Sequence, residues 1–338
     1  MRGRLAGTEL FDATYADVVA HGRGEELFGD VREAARLFFS RVWLPETLPV
    51  LYLEFPLRDD PYLDLLAIYE QVPIGARFST GGGYGYQAAF DLFSGLDASQ
   101  KAAMGIELDL SRGITEQGGI YFQQRKGLSL LDEFLATVDQ GWRADAYRQM
   151  SDRMPRGWPP SYVGLFPSRL GTPMRMGGYL SKPMHRRCQG DPAFLGSRLS
   201  QMGFSAHDRT MLERCASLMG LVPAVDFQFD LAPDGSLTDT FGLSLSFGRC
   251  ALREVGECFS SGYGAQVMGL LEGWGLADDR WRLIPSMTFA KGVCLRNRDG
   301  REERLAICVR LNYAKVKFVE GVAQAAKFYL AATVEELS

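Results

Sequence analysis

Pairs of short runs with alternating apolar residues, each joined by a turn and followed by an amphipathic helical stretch, recur about five times along this chain. Residues two apart share a face of a strand, so each pair reads as an antiparallel hairpin with one greasy face, and a helix must cover that face. Five units give about ten strands. A meander of that size either closes on itself or leaves two unpaired edges. Closure predicts an α+β fold: an antiparallel β-barrel of about ten strands surrounded by α-helices in repeated αββα units. With 338 residues, 46% of them hydrophobic, the chain has ample material for such a core, and it reads as a single domain over 1–338 with a helical segment at 1–45.

The hairpins are placed as follows. The first pairs Pro49–Pro56 with Pro73–Ser79, across a short helical insert at Tyr62–Tyr69, and a helix starts near Tyr86. Gly105–Ser111 and Gly119–Arg125 form the second, before a helix capped by Ser129. Ser161–Phe166 and Met174–Ser181 form the third, and helices follow at Pro192–Met202 and Ser205–Met219. The fourth is the clearest, because Val225, Phe227, Phe229 and Leu231 alternate with Asp226, Gln228 and Asp230 before the Pro233-Asp234-Gly235 turn. Its partner alternates Phe241, Leu243, Leu245 and Phe247 with Thr240, Gly242, Ser244 and Ser246. The stretch Ile284–Leu295 is open to reading as an extra strand, and the last hairpin is Leu305–Val319 with Ala325–Ala331.

If the apolar faces lie under helices, the polar faces converge in the lumen. The inward set is then Tyr52, Glu54, Arg77, Glu107, Asp109, Tyr121 and Gln123 from the first half, with Arg175, Tyr179, Asp226, Gln228 and Asp230 beyond it. The last hairpin adds Lys315, Lys317, Lys327 and Tyr329, although a hairpin overhanging the barrel would turn Lys315 and Lys317 out to solvent. Buried charge is costly unless paired or solvated, so this many inward charges imply a wet, ligand-binding interior.

Other features narrow the function classes. A net charge of -4 with scattered basic residues gives no footprint for nucleic acid. Six cysteines without CxxC spacing suit reduced thiols, and three histidines without ligand spacing argue against zinc. No signal peptide or spanning apolar run is visible, so a cytoplasmic protein is expected. Gly81-Gly82-Gly83-Tyr84-Gly85 lacks the lysine of a phosphate-binding loop and reads as a lid or rim. His185-Arg186-Arg187-Cys188 reads as a solvated run, and His207-Asp208 as a helix cap.

The unit order resembles the ABBA-type prenyltransferases, or PT-barrels, which include aromatic and cyanobactin peptide prenyltransferases. The resemblance covers about Pro49 to Ala332 and rests on architecture and short strand motifs: Ile106-Glu107-Leu108-Asp109-Leu110-Ser111, Arg175-Met176-Gly177-Gly178-Tyr179 and Lys327-Phe328-Tyr329. It implies a transferase that moves an isoprenoid from its diphosphate to an aromatic or peptide nucleophile, in natural-product biosynthesis or peptide modification. In that scheme Arg77, Arg175, Lys315, Lys317 and Lys327 hold diphosphate, while Tyr121, Tyr179 and Tyr329 shield an allylic cation, with Asp226, Gln228 and Asp230 completing the substrate wall. Glu54 and Glu107 are the catalytic acid–base candidates, and Asp109 is the ligand of a magnesium ion if one is used; no organic cofactor is expected. The chain departs from the family where Gly119 and Gly177 replace inner-face lysines and where Asp226, Asp230 and Thr240 stand in place of an arginine. That acid excess also suits a maturation protein for a ribosomal peptide, acting by other chemistry, or a non-catalytic binding barrel.

Overall fold

The computed structural model describes residues 12, 15–16, 24–30, 32–42, 49–70, 86–96, 102–110, 118–124, 129–167, 169, 171–296 and 302–336. Eleven strands form one antiparallel sheet: β1 Val50–Pro56, β2 Asp64–Tyr69, β3 Ala102–Leu108, β4 Gly119–Gln124, β5 Tyr162–Leu165, β6 Met174–Tyr179, β7 Val225–Leu231, β8 Leu237–Ser246, β9 Phe289–Arg296, β10 Glu302–Val319 and β11 Val322–Glu336. The order β11-β1-β2-β3-β4-β5-β6-β7-β8-β10, together with the pairing of β10 to β11, closes a ten-stranded barrel. Closure leaves no open edge within the ring, which is the physical reason a meander of this length is stable in water.

One strand of the sequence reading needs correction. The segment expected as a helical insert around Tyr62–Tyr69 is strand β2, paired with β1 and β3; its near-continuous apolar run carries no alternation to distinguish the two periods. The expected strand at Pro73–Ser79, including Arg77, lies outside the described residues, as does the glycine-rich loop. The extra strand at the end of the Ile284–Leu295 stretch is β9, which pairs with only the first half of β10, at Glu302–Val309, and so stands outside the ring.

Helices clothe the outer face: α1 Arg32–Val42, α2 Tyr86–Ser94, α3 Leu131–Thr137, α4 Ala144–Arg153, α5 Lys182–Gly190, α6 Pro192–Met202, α7 Arg209–Leu221, α8 Val255–Ser260 and α9 Tyr263–Gly273. Their ends follow local chemistry. Asp191 accepts a hydrogen bond from the Phe194 N–H at the start of α6, where Pro192 opens the first turn, and Gly203 closes that helix at φ 98°. Asp208 caps α7 through the Met211 N–H, so α7 begins at Arg209 rather than at Ser205. Ser129 does not cap α3; its hydroxyl bonds the Gln124 side chain instead. His185 and Cys188 are buried on the inner side of α5, with the His185 ring bonded to the Met219 carbonyl, so only part of that basic run is solvated.

The core lies between barrel and helices. Phe122 of β4 stacks on Phe134 of α3 at 5.1 Å and meets Phe93 of α2 at 5.6 Å, while Phe328 of β11 packs edge-on against Phe259 of α8 at 6.1 Å. Each fully buried aromatic of this kind contributes roughly 2–3 kcal/mol of transfer free energy.

One irregularity aims the last hairpin. Along β10 the residues buried in the core are Leu305, Ile307, Val309 and Leu311, then Ala314, Val316 and Phe318. The register shifts between Leu311 and Tyr313, and this β-bulge at Asn312 changes the parity from odd to even. Tyr313 and Lys315 therefore point into the lumen. The part of β10 that overhangs the ring is its first half, not the lysine-bearing half. A tight turn at Glu320 and Gly321, with φ of 49° and 78°, joins β10 to β11.

Candidate functional site

Cross-strand neighbours share a face, so the pairings give the lumen directly. Glu54 lies opposite Asp64 and Tyr329, Arg175 opposite Gly164 and Asp230, Asp226 opposite Tyr179 and Ser244, and Lys315 opposite Ser244 and Lys327. The inward set read from the fourth hairpin is thus brought together. Tyr179 has the inner parity but sits at the last position of β6 and is 56% exposed, and Lys317 is exposed where β10 nears its turn. Both stand at a barrel mouth rather than in its middle.

Three charge clusters occupy the interior. Arg169, from the loop after β5, donates to both oxygens of Asp109 at 2.7 and 2.8 Å and to Glu107 Oε1 at 2.5 Å. The Tyr121 hydroxyl donates to the other Glu107 oxygen at 2.5 Å. Arg175 forms a two-pronged pair with Asp230 at 2.8 and 3.1 Å, and the Phe166 ring lies under both guanidinium groups, 3.5 Å from Arg169 and 4.7 Å from Arg175. Lys327 bonds Glu54 and reaches Asp64 at 3.2 Å.

These pairings set the protonation states. Burial alone would raise the Glu54 carboxyl, but Lys327 and Lys315 outweigh it and bring the pKa to about 2. Asp109 is likewise about 2, because hydrogen bonds and charge from Arg169 overcome its burial. Glu107 differs: burial, with Glu54 and Asp109 nearby, keeps its pKa raised despite Arg169. Burial drives the Tyr121 and Tyr329 hydroxyls well above their ordinary range, with Glu107 and Glu54 respectively adding to the effect. Two groups stand apart. Asp226 is pushed up to about 7 by burial, and its Oδ1 has no hydrogen-bond partner. Lys315 is brought down to about 8 by burial and by Arg175.

The glycines that replace inner lysines have a steric reason. A Cβ at Gly177 would lie 2.2 Å from the Tyr162 ring and 2.6 Å from the Phe227 carbonyl oxygen, and one at Gly119 would lie 2.7 Å from the Phe166 ring. Aromatic rings lie flat where side chains would otherwise project. Gln228, buried, covers Gly242 in the same way.

Asp109 makes a poor metal ligand in this setting. Both its oxygens and one of Glu107 are taken by Arg169, and no group of three or more histidine, cysteine or acidic side chains able to hold an ion occurs among the described residues. Sequence reasoning missed Arg169, which sits in a loop where parity says nothing, and Asp64, which lay in the segment read as helical. Tyr162 and Tyr313 share a face with Gly164 and Lys315, so strand parity was the signal that could have found them.

A closed ten-stranded antiparallel barrel, jacketed by helices and polar inside, is the fold of the ABBA-type prenyltransferases. The crystal structure of 5-dimethylallyltryptophan synthase from Streptomyces coelicolor superposes with a TM-score of 0.54 at 11% identity, covering 97% of each chain. PriB in binary complex with product diphosphate gives 0.51 at 13% identity over 97% of this chain and 96% of that one. PriB with L-tryptophan and dimethylallyl thiolodiphosphate gives 0.51 at 12% identity over the same shares. No protein-family model and no curated protein matches the sequence. Among the described residues no helix is long and apolar enough to cross a membrane.

Proposed function

We propose that the protein is a prenyltransferase-like enzyme that transfers an isoprenoid from its diphosphate to an aromatic or peptide nucleophile in the barrel. The observation that carries this reading is the enclosed wall where Arg175, Lys315 and Lys327 stand among the rings of Tyr52, Tyr121, Tyr162, Tyr313 and Tyr329. Cations there neutralise a leaving diphosphate, and ring faces shield an allylic cation from water. Tyr313 and Tyr329 are stacked at 4.0 Å, Tyr52 meets Tyr313 edge-on at 6.3 Å, and together they make an apolar surface for the prenyl chain. Fold neighbours crystallised with diphosphate or a thiolodiphosphate analogue support the assignment by analogy. Glu54, ionised but held by Lys327, orients an N–H or O–H donor on the acceptor better than it takes a proton, and Glu107, with its raised pKa, is the stronger acid–base candidate. Lys317 and Tyr179 are proposed as contacts near the mouth, and Arg77 as a further diphosphate-binding residue.

A second reading draws on the charge count. Among the described residues on or over the lumen, Glu54, Asp64, Glu107, Asp109, Asp226 and Asp230 outnumber Arg169, Arg175, Lys315, Lys317 and Lys327 by one. Both arginines are already bound to carboxylates. That favours a barrel that accepts a peptide or a cationic ligand and acts by other chemistry. Mass spectrometry after incubation with dimethylallyl or geranyl diphosphate and a pool of indoles, phenols and peptides separates the two. Prenylated acceptor with release of diphosphate supports the first reading. Absence of diphosphate-ester binding by calorimetry at millimolar concentration removes it and leaves the second.

A further inference from the structure

On the wall formed by β7, β8 and β10, Asp226 lies opposite Ser244, and Ser244 lies opposite Lys315. Lys315 differs from the other interior cations. Arg169, Arg175 and Lys327 each hold a carboxylate, whereas Lys315 forms no ion pair among the described residues. Its nitrogen is 3.3 Å from the Tyr329 hydroxyl and 5.7 Å from that ring's centre. Arg175 from β6 and Lys327 from β11 surround it with like charge, while Glu54 from β1 and Glu107 from β3 oppose them. Lys315 has the inner parity of β10 and is half-buried as a residue. A desolvated amine beside another cation is the setting in which a lysine acts as a nucleophile.

We propose that Lys315 is a reactive amine that condenses in the lumen with a small carbonyl compound, an enal or an aromatic aldehyde, to form an imine. The Nζ lone pair attacks the carbonyl carbon, and a C–N bond forms as the carbonyl π pair moves to oxygen. That oxygen takes one proton to give the carbinolamine and a second as it leaves as water, while nitrogen gives up its two protons. Amine and aldehyde thus yield imine and water, with no redox change. Tyr329, within hydrogen-bond reach of the nitrogen, is the general acid that hands a proton to the departing oxygen. Asp226, one strand beyond Ser244, exchanges protons near neutral pH because burial holds it at about 7. With Lys315 at about 8, its free-amine fraction at neutral pH exceeds that of an ordinary lysine by about three hundredfold. The stacked rings of Tyr313 and Tyr329 supply the apolar surface for the carbon skeleton.

This goes beyond prenyl transfer and does not rest on it. The test treats the full chain with 3-methylbut-2-enal and cyanoborohydride at pH 7.5, followed by intact-mass measurement and peptide mapping. The expected result is one reduced adduct on Lys315, formed about a hundredfold faster than on exposed lysines, and absent in Lys315→Arg. Tyr329→Phe should slow labelling and alter its pH profile while keeping the adduct at Lys315. Comparison of Lys315 with Lys182 and Lys327 inside the unmutated chain gives the same answer if a variant fails to fold. Equal labelling of Lys315 and Lys182, or an unchanged yield in Lys315→Arg, overturns the proposal. Repeating the reaction with inorganic diphosphate keeps the two readings distinct: labelling that diphosphate does not block still supports the reactive amine but removes Lys315 from the diphosphate site.

Discussion

Two regions of the same lumen handle charge in opposite ways. Around β1, β3 and the loop after β5, every described acid faces a cation: Glu54 and Asp64 share Lys327, and Glu107 and Asp109 share Arg169. Across the barrel, on β7, β8 and β10, Asp226 and Lys315 are separated by a serine, and neither forms an ion pair among the described residues. In the first region Glu54 and Asp109 are locked in their ionised form, while Glu107 keeps a raised pKa. The second titrates near neutrality, with Asp226 at about 7 and Lys315 at about 8. Burial is similar in both, so partner geometry rather than depth separates a structural charge from a chemically usable one.

The largest expected effect tests the locked side. Arg169→Ala leaves Glu107 and Asp109 buried without their cation and should lower unfolding free energy by about 3–5 kcal/mol in denaturant titrations. Adding Glu107→Gln and Asp109→Asn should restore most of it; a mild effect of the single change would mean the clamp is not desolvated.

The titrating side is tested by pH. The folded state raises Asp226 from about 3.8 to about 7, so it binds more protons than the unfolded chain within that window, and stability falls as pH climbs through it. Asp226→Asn should remove a decline of roughly 2–4 kcal/mol between those limits. The locked side gives the opposite slope: Glu54 and Asp109, held at about 2, contribute stability that disappears as pH drops from about 4 toward 2. Thermal melts from pH 2.5 to 8 distinguish the two, and a flat profile in the unmutated chain above pH 4 would erase the contrast.

Packing between the regions comes next in size. Gly177→Ala forces a methyl onto the Tyr162 ring and the Phe227 carbonyl, with an expected cost of about 2 kcal/mol. Because the backbone contact remains, Tyr162→Ala should relieve only part of it. The smallest effect is Lys315→Met, which removes a buried charge that forms no ion pair among the described residues and should change stability by at most about 1 kcal/mol, toward greater stability. A loss comparable to that of Arg169→Ala would show that Lys315 is paired after all.

Much of the architecture was legible because alternation in a hairpin is a local property. Val225 to Phe247 displayed one greasy and one polar face, and the sheet uses them in that sense. The β2 strand was not legible, because Leu65, Leu66 and Ala67 are all buried and a two-sided apolar run carries no period. The site was legible as a set of residues but not as a network. Parity brought Arg175 and Asp230 to one face, yet Arg169 entered from a loop and took up both Asp109, expected to serve a metal, and Glu107, expected to act as acid or base.

The chain by itself determined that alternating hairpins with one apolar face close into a helix-covered barrel whose polar residues turn inward, since period and burial preference act within a few residues of each position. Only the tertiary structure decided which of those charges are spent on one another. Ion pairing depends on distances between strands far apart in sequence, and on the bulge at Asn312 that turned Lys315 inward and left it with a hydroxyl where its neighbours have carboxylates.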